Sequence, residues 1–515
     1  MLLAGPGTGK TTCIKGIVNG EFAAAKKILV LSFTNATVND LRRDFKDNPV
    51  VDCCTLHSYA MRINPLGDRY VLDTKCELPA VEKLADDIGV DLRFLCEILR
   101  CISFDSMVAE CLLFLNANPA YGAKQIGELD LLVVDEFQDF NAGERDLVMA
   151  VSAFARETIV LGDDDQSIYD FKDADPDGII QLYETPGIEL IPHEHMCHRC
   201  PDVVVDCATR LIAHNTHRIE KPWQKTARAG DCFQTQFITQ HEANEFIVNE
   251  ILRIRTEEDS QSPSSILALS PVSYYADDLI LQLEANGIDY VNFWASPLSD
   301  EDWLQLWRLR AIYGERRVLN LVFLARLLTP HFRGKFKDVL RQAVTSGYEE
   351  AAVLDQIARF YGDDLQSLIS GPPPLAELVT QHPEFEVMAG KLDADDLAAS
   401  VDALLRELNS PTEFDRASVN IMSIHRSKGL QADIVFINGL VDGVLPNGAS
   451  GVDTIEAQRR LLYVGVTRAR DTLHLLSAVE WDGKYVQRLD KSQFEYDYRG
   501  KVWNGRASRF LSEMA

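Results

Sequence analysis

A glycine-rich loop near the start of the chain limits the folds that this sequence can adopt. Residues 4–11 read Ala-Gly-Pro-Gly-Thr-Gly-Lys-Thr; they follow an apolar segment, residues 1–3, and a helix is predicted from Thr11 to about Val18. A strand, a glycine-rich loop and a helix in this order are typical of a phosphate-binding loop, although Ala4 stands where the usual pattern has glycine. The alternative is a glycine-rich turn without a ligand, and the Lys-Thr pair in the right register disfavours it.

The residue types in this loop predict separate roles at a nucleotide. Lys10 is expected to reach the β- and γ-phosphates, and Thr11 is expected to hold Mg²⁺. Backbone N–H groups supply further contacts, because glycines tolerate the dihedral angles that point them at the phosphates. The residues expected to bind the nucleotide here are Ala4, Gly5, Pro6, Gly7, Thr8, Gly9, Lys10, Thr11 and Thr12.

Carboxylates follow two apolar segments further along the chain. The predicted strand at residues 131–134 ends in Asp135 and Glu136, and a second one at 158–161 leads to residues 162–169, which include three aspartates and Gln166. Such runs are typical of buried parallel strands whose carboxyl ends open onto a ligand. Asp135 is expected to coordinate Mg²⁺, and Glu136 to orient or deprotonate the attacking water. Without the phosphate loop, an Asp-Glu pair is equally well an ordinary solvated strand end.

Length and composition indicate a large multidomain protein. The 515 residues predict roughly three to four domains. No apolar run approaches the ~20 residues of a membrane span, and the N-terminus lacks the pattern of a signal peptide. Eleven cysteines, an odd number, indicate reduced thiols and hence an intracellular, cytoplasmic protein.

One cysteine pair raises the alternative of a metal site. Residues 197–200 read Cys-His-Arg-Cys, and His193 and His195 lie nearby. A tetrahedral zinc site normally needs four well-placed ligands, and no second cysteine pair follows at ligand spacing. We therefore disfavour a metal here.

Motifs across nearly the whole chain resemble those of the UvrD/Rep branch of superfamily 1 DNA helicases. Their order and content carry the resemblance. Besides the phosphate loop, the matching segments are residues 31–35, 55–58, 135–139, 162–169, 198–201, 422–431, 458–469 and 508–511. A general P-loop enzyme such as a kinase would need a phosphate acceptor site in place of these motifs.

The resemblance implies an α/β fold with two RecA-like parallel-sheet P-loop domains, each with a mainly helical insertion. The implied domains are a first core at 1–60 and 125–190, its insertion at 61–124, a second core at 191–295 and 412–515, and its insertion at 296–411. Strands are predicted in the second core at 266–269, 419–422 and 434–437. Each insertion has an apolar stripe at helical spacing, which predicts helices. The first stripe consists of Leu84, Ile88, Leu92, Leu95 and Leu99, and the second of Leu397, Val401, Leu404, Leu405 and Leu408. A loop at 371–374 divides the second insertion.

The resemblance also implies roles for residues outside the phosphate loop. Gln166, Arg199 and Arg468 would sense or stabilise the γ-phosphate from both sides of a cleft. Gln431, where the family usually has glutamate, would contact the ribose. The implied DNA-binding residues, with aromatic rings for base stacking and polar groups for the backbone, are Phe33, Thr34, Asn35, His57, Tyr169, Phe171, Lys172 and His425.

Three further features bear on these expectations. The family's adenine-reading glutamine segment would lie upstream of residue 1; either the true start lies upstream, or recognition rests on phosphates and stacking. Lys172-Asp173-Ala174 replaces a typical Arg-Gly-Ala, which weakens a DNA contact. A net charge of −27 predicts weak affinity for DNA with a steep salt dependence, or a partner that supplies positive surface.

The sequence therefore predicts an ATP- and Mg²⁺-dependent translocase or helicase on single-stranded DNA or a single-strand/duplex junction. The resemblance implies 3′ to 5′ polarity. The alternative is a nucleotide- and DNA-sensing subunit that regulates a partner nuclease and unwinds little alone. Compact members of the family occur as helicase-like subunits of bacterial anti-phage systems, Gabija among them.

Overall fold

A computed structural model describes most of the chain. The described residues are 1–64, 69–72, 77–257, 263–295, 298–313, 374–381, 383–393, 395–408, 412–448, 451–489 and 491–515. The chain divides into two compact units, formed by residues 1–63, 111–294 and 412–515, and by residues 64–110 and 295–411. Among the described residues, no helix combines the length and the apolar composition needed to cross a membrane.

The first sheet of the larger unit has five parallel strands in the order β1-β7-β6-β2-β3. Strand β2 is completely buried, and β6 is buried except at the half-buried Asp130; such largely apolar strands are typical of a parallel sheet covered by helices. Its elements are β1 (Leu2–Leu3), α1 (Lys10–Asn19), β2 (Ile28–Ser32), α2 (Asn35–Asp44), β3 (Val51–Thr55), α3 (Leu56–Ile63), β6 (Leu129–Val134), α8 (Ala142–Ser152), β7 (Ala155–Gly162) and α9 (Asp177–Glu184).

The second sheet of this unit has the strand order β10-β11-β9-β12-β13-β15-β14, with β8 also paired to β13. The strands β8 to β13 are mutually parallel, and β14 and β15 are antiparallel additions. Its elements are α10 (Asp202–Ile212), β8 (Asp231–Thr239), α11 (Gln240–Glu257), β9 (Ile266–Ser270), α12 (Tyr274–Ala285), β10 (Tyr290–Asn292), β11 (Val419–Ser423), β12 (Ala432–Ile437), α17 (Val452–Val466), β13 (Ala469–Trp481), α18 (Gly483–Val486), β14 (Glu495–Asp497), β15 (Val502–Asn504) and α19 (Arg509–Met514).

Helices and a small sheet occur between these core segments. The strands β4 (Tyr70–Val71) and β5 (Cys101–Ile102) form a parallel pair that the helical pattern did not predict. The helices are α4 (Glu77–Ile88), α5 (Leu92–Ile98), α6 (Phe104–Ala117), α7 (Pro119–Gln125), α13 (Asp300–Tyr313), α14 (Leu375–Gln381), α15 (Glu386–Ala389) and α16 (Leu397–Leu408).

The predicted leucine stripes fall on helices where the structure describes them. The first stripe is divided between α4 and α5, because Gly89 at φ +67° separates the two helices. Leu95 and Leu99 are buried, as are Val401, Leu404 and Leu405 of the second stripe. The side chains of Leu84 and Ile88, and the predicted loop at 371–373, lie outside the described residues.

The two sheets confirm the predicted α/β fold class, and every strand predicted from the sequence is present. The strands β6, β7, β9, β11 and β12 cover the predicted segments and extend them by up to three residues at an end. The carboxyl ends of β1, β6 and β7 meet at one edge of the first sheet, because these strands are parallel neighbours.

Candidate nucleotide site and aromatic surface

A cleft of about 660 Å³ lies at this edge of the first sheet. It is lined from the first sheet's side by the phosphate loop and the turns after β6 and β7, and from the second sheet's side by residues beside α10, β12 and β13. Sequence-predicted residues that line it are Gly5, Pro6, Gly7, Gly9, Lys10, Thr11, Thr12, Asp135, Glu136, Gln166, Arg199, Gln431 and Arg468.

Two other predicted loop residues support the phosphate loop from behind. The N–H group of Ala4 donates to the carbonyl oxygen of Gly162 at 3.1 Å, which continues the pairing of β1 with β7. The Thr8 hydroxyl donates to the carbonyl oxygen of Gly5 at 2.8 Å, and Thr8 is buried. Both residues therefore fix the shape of the loop without lining the cleft.

The glycines of the loop meet the backbone demands of a phosphate cradle. Gly9 has φ +90° and stands at the start of α1, whose first residue is Lys10. Gly7 has φ +70°, and a Cβ atom there would lie 2.5 Å from the Cβ of Arg199. The positive φ angle favours glycine at both positions, and at Gly7 the lack of space for a Cβ atom also requires it.

The Lys10 ammonium contacts the Glu136 carboxylate, at 3.1 Å from Oε1 and 3.3 Å from Oε2. Gln138 Nε2 donates to Glu136 Oε2 at 2.5 Å. Burial alone would raise the pKa of Glu136, but the charges of Lys10 and Lys428 and the Gln138 hydrogen bond outweigh it and lower the pKa. Glu136 is thus an ionised carboxylate held at the floor of the cleft, with its backbone in the left-handed region at φ 54°.

Asp135 and Thr11 offer oxygen ligands of the kind that Mg²⁺ prefers. Asp135 is 2% exposed and lines the cleft with Thr11. Burial, followed by the neighbouring Glu136 charge, raises the pKa of Asp135 above its usual value. A divalent cation would favour the ionised form, so the donor set fits the predicted metal.

Arg199 and Arg468 reach the cleft from the second sheet's side. Arg199 Nε donates to Gln431 Oε1 at 3.0 Å and Nη1 donates to the Thr467 carbonyl oxygen at 3.3 Å. Arg468 is 1% exposed and donates to carbonyl oxygens of Val464 and Leu430. The structure therefore brings Arg199, Arg468 and Gln431 together opposite the phosphate loop.

Burial, followed by the nearby Arg199 charge, lowers the pKa of Arg468 to about 9. The guanidinium is still protonated at neutral pH, because that value lies well above 7. Two like charges at one wall of the cleft provide a positive surface suited to a triphosphate.

The three aspartates before Gln166 have partners that the sequence analysis missed. Lys221 Nζ lies 3.1, 2.5 and 3.0 Å from carboxylate oxygens of Asp163, Asp164 and Asp165, and Arg218 makes two hydrogen bonds to Asp165. All three aspartates are at most 1% exposed. The three aspartates therefore hold the segment at residues 218–221 against the first sheet.

Gln166 itself lies at the cleft, with its side chain oriented by this cluster. Its Nε2 atom donates to Asp163 Oδ2 at 2.7 Å. Its carbonyl oxygen accepts from Lys428 Nζ at 2.6 Å. The turn after β7 therefore connects the cleft with residues of the second core.

A chain of aromatic rings lies beside this turn. Ring centroids are 5.1 Å apart for Phe33 and Tyr169, 5.8 Å for Tyr169 and Phe171, and 5.7 Å for Phe171 and His425. Phe171 is 68% exposed, and Lys172 Nζ lies 5.4 Å from the Phe33 ring centroid. We call Phe33, Tyr169, Phe171 and His425 the aromatic surface; the exposed Phe171 ring, its three half-buried neighbours and the adjacent cation suit stacking of single-stranded bases.

The remaining predicted DNA-binding residues lie on neighbouring elements. Thr34 is the N-cap of α2 and accepts a hydrogen bond from the Thr37 N–H, and Asn35 is the exposed first residue of that helix. His57 Nε2 lies 3.0 Å from Glu144 Oε1, so the His57 ring is held by a carboxylate of α8.

Lys428 and Arg460 contact turns that follow β6 and β7 at the cleft, and the sequence analysis assigned neither residue a role. Lys428 Nζ contacts both carboxylate oxygens of Asp139, and Arg460 Nε donates to the carbonyl oxygen of Ser167 at 3.1 Å. Both lie within motif segments, at 422–431 and 458–469. Their position as basic residues inside these motifs could have indicated a role, but only the fold shows which turn each one contacts.

The cysteine pair lies against the phosphate loop. The Cys197 thiol donates to the Pro6 carbonyl oxygen at 3.6 Å, and the Cys200 N–H donates to Cys197 Sγ at 3.4 Å. Both cysteines are buried. They position the loop that carries Arg199.

Two family models match the chain. Residues 1–172 match a model described as an AAA domain, and residues 373–480 match one described as a UvrD-like helicase C-terminal domain. The first match contains the phosphate loop, Glu136 and the aromatic residues Phe33, Tyr169 and Phe171. The second contains Gln431 and Arg468.

Curated relatives match most of the chain at low identity. The ATP-dependent DNA helicase PcrA of Leuconostoc citreum is 22% identical over 93% of this chain and 80% of its own length. The ATP-dependent DNA helicase Rep of Salmonella typhimurium is 26% identical over 80% of this chain and 67% of its own length. The putative ATP-dependent DNA helicase YjcD of Bacillus subtilis is 24% identical, and the match spans 57% of its length.

Proposed function

This chain belongs to the UvrD/Rep-type superfamily 1 helicases, and we propose that it is an ATP-dependent DNA helicase or translocase that acts on single-stranded DNA. One observation carries the proposal. Lys10, Glu136 and Gln166 from the first sheet and Arg199 and Arg468 from the second line a single cleft. A cleft built from both sheets can couple a reaction within it to movement of one sheet against the other.

The chain's own residues account for the steps of hydrolysis. Lys10 binds the phosphates, and Thr11 and Asp135 would hold Mg²⁺, which would neutralise charge on the phosphate oxygens. Glu136 accepts a proton from the attacking water while Gln138 fixes its orientation. Arg199 and Arg468 stabilise the negative charge that develops on the transferring group.

The aromatic surface is the proposed DNA site. Stacking contributes about 1–3 kcal/mol per base and does not depend on sequence, which suits a protein that moves along a strand. Lys172 adds a phosphate contact beside the rings, and the N-terminus of α2 with Thr34 and Asn35 adds polar groups. Because the chain belongs to this family, we also propose that it moves in the 3′ to 5′ direction and acts on single-strand/duplex junctions. For the same reason we propose a cytoplasmic location.

Steady-state ATP hydrolysis by the full chain tests the proposal. Hydrolysis is measured at low salt with and without single-stranded DNA, with Lys10→Ala as the blank and Lys225→Ala as the matched control. Lys225 pairs with Asp206 at an exposed site and does not line the cleft. We expect Mg²⁺-dependent hydrolysis that DNA stimulates and that only Lys10→Ala abolishes.

Substitution of Glu136 tests the proposed base in the same assay. We expect Glu136→Gln to lower turnover about 10²–10⁴-fold while nucleotide binding persists, because the amide keeps the size of the side chain and cannot accept the proton. Full hydrolysis by Glu136→Gln contradicts the assignment. Strand displacement on duplexes with a 3′ or a 5′ tail tests polarity, and faster opening of the 5′-tailed duplex contradicts the 3′ to 5′ proposal.

A second candidate function is a nucleotide- and DNA-sensing subunit that regulates a partner nuclease. The net charge of −27 favours it, because a strongly acidic protein gains DNA affinity from a basic partner. In this case the isolated chain hydrolyses ATP slowly, ignores DNA and opens no duplex. Hydrolysis and strand displacement by the isolated chain therefore distinguish the two functions.

A further inference from the structure

Lys428 occupies a junction between the nucleotide cleft and the aromatic surface. Its Nζ atom lies 2.7 Å from Asp139 Oδ1, 2.6 Å from Asp139 Oδ2 and 2.6 Å from the Gln166 carbonyl oxygen. An ammonium group has three donors, and these contacts use them all. The Lys428 side chain is 5% exposed and that of Asp139 is fully buried.

The contacts of Lys428 join two separate turns of the first core. Asp139 ends the short turn that begins just after Glu136, and Gln166 ends the turn after β7. Lys428 itself follows β11 in the second core. One buried cation therefore holds the turn beside the predicted base, the turn with the predicted γ-phosphate sensor and the second core together.

The same ammonium reaches the aromatic surface. Lys428 Nζ lies 5.3 Å from the ring centroid of Tyr169, within the range of a cation–π interaction. Tyr169 stands three residues after Gln166, and its ring contacts both Phe33 and Phe171. A base that stacks on these rings thus changes the surroundings of a cation that is bound to the backbone of Gln166.

We propose that Lys428 is the positioning residue through which DNA on the aromatic surface accelerates hydrolysis in the cleft. This inference rests on the proposed function. Lys428 donates hydrogen bonds to Asp139 and Gln166 and lies near the ring of Tyr169. Binding of a DNA strand to the rings therefore shifts the Gln166 turn and the turn after Glu136 together. Lys428 lines the cleft, so its removal takes one charge from the nucleotide site; it leaves Lys10, Glu136, Gln166 and the aromatic rings in place and removes the connection between the two sites.

Three variants of the full chain test this role. Lys428→Met removes the cation at similar size. Lys428→Met combined with Asp139→Asn also removes the carboxylate, so that no unpaired charge stays buried. Lys225→Met is the control, because Lys225 pairs with Asp206 at an exposed site of the same core.

The readouts separate binding from coupling. Fluorescence anisotropy gives the affinity for labelled oligo(dT), a fluorescent nucleotide gives the affinity for the nucleotide, and steady-state kinetics give kcat and KM for ATP with and without oligo(dT). We expect Lys428→Met to bind both ligands within about 3-fold of the parent and to lose at least about 5-fold of the stimulation of kcat, the lower end of typical allosteric coupling. Lys225→Met keeps the stimulation of the parent.

The double variant distinguishes coupling from simple charge compensation. If Lys428 serves only to neutralise Asp139, the double variant regains DNA stimulation, and that result overturns the proposal. If Lys428 transmits the effect of DNA, the double variant folds with a normal melting temperature and stays unstimulated. The double variant decides the matter where Lys428→Met alone does not fold.

Two further results overturn the inference in distinguishable ways. Stimulation of Lys428→Met equal to that of the parent overturns the role of Lys428 and leaves the proposed function in place. A parent chain that hydrolyses ATP without any response to DNA overturns the proposed function and this inference together.

Discussion

At the scale of single residues, Gly7 combines a dihedral requirement with a steric one. Its φ of +70° disfavours other residues, and an added Cβ would lie 2.5 Å from the Cβ of Arg199. Space at this point is limited because the second core's segment donates the His198 N–H to the Gly7 carbonyl oxygen at 2.9 Å. The phosphate loop is thus shaped by its own sequence and by a neighbour almost 200 residues away.

We expect Gly7→Ala to lower nucleotide affinity by about tenfold or more, because a strained left-handed residue costs about 1–3 kcal/mol and the clash displaces Arg199. Binding of a fluorescent nucleotide measures the effect. Gly143→Ala is the matched control, since a Cβ there meets its nearest neighbour, Asn141 Oδ1, at an ordinary 3.6 Å. Equal affinities of the two variants would contradict the steric account.

His474 is a buried histidine whose ring nitrogens have no hydrogen-bond partner among the described residues. Its ring stacks on Phe436 at 4.7 Å and on Phe233 at 5.2 Å. Burial lowers the pKa of His474 below 6.5, although Glu250 and Asp231 oppose this and Arg253 adds to it. The folded chain therefore holds His474 neutral where the unfolded chain binds a proton.

This predicts a specific acid sensitivity. The unfolded state binds a proton at His474 as the pH falls below about 6.5, whereas the folded state does not. The free energy of unfolding therefore decreases as the pH is lowered, by at most about 1.4 kcal/mol per pH unit from this group. We expect His474→Phe to remove that component while matching the parent near pH 8, as measured by urea unfolding between pH 5 and 8.

An exposed histidine provides the control for this experiment. Asp278 raises the pKa of His241, so its small contribution to stability is present below pH 6.5 and is lost as the pH rises through the raised value. His241→Asn should therefore produce a weaker change of opposite sign. An unchanged pH profile for His474→Phe would show that other groups control the acid transition.

The residue scale also shows what the sequence reveals and what it hides. Lys10 and Glu136 were predicted from the chemistry of their local segments, and Arg468 was predicted from the resemblance to a known family. Lys221 and Arg218 were missed, since their partners lie more than 50 positions away and no local pattern connects them. Long-range ion pairs of this kind depend on how loops cross, and residue spacing does not encode that crossing.

At the scale of elements, the turn after β7 is held by the second core's segment at residues 218–221. Lys221 is 6% exposed and contacts three buried carboxylates, and Arg218 pairs with the last of them. Strand β7 itself was predicted, but the sequence analysis assigned the three aspartates no partner. Their partner proves to be an ammonium group of the same chain.

We expect Lys221→Met to destabilise the protein by about 3–5 kcal/mol, because it leaves buried carboxylates without their shared cation. Urea unfolding followed by tryptophan fluorescence measures the loss. Lys225→Met, which removes an exposed ion pair, should cost less than about 1 kcal/mol. Similar losses for both variants would indicate that the aspartates find other compensation.

At the scale of the whole molecule, the charge of −27 opposes the binding of a polyanion. A positive side chain nevertheless lies beside the aromatic surface, because Lys172 Nζ is 5.4 Å from the ring centroid of Phe33. Stacking is insensitive to salt, whereas each phosphate contact on a single strand contributes about −0.7 to the logarithmic salt slope. The two contributions can therefore be separated experimentally.

For three phosphate contacts, we expect affinity for oligo(dT) to fall about 20-fold between 50 and 200 mM salt. Lys172→Met should reduce the salt slope by about 0.7. Phe171→Ala should lower affinity by the same factor at both salt concentrations, because an exposed ring contributes stacking alone. A Phe171→Ala effect that vanishes at high salt would contradict the stacking role.

The phosphate loop has a further consequence for the molecule as a whole. Its carbonyl oxygens at Pro6, Gly7 and Thr8 face Cys197, His198 and His193 of the second core. A fragment that ends before residue 190 would retain the complete nucleotide motif and lose the scaffold on its outer side. We therefore expect such a fragment to bind nucleotide more weakly than the whole chain, because the contacts that hold the outer side of the loop are missing.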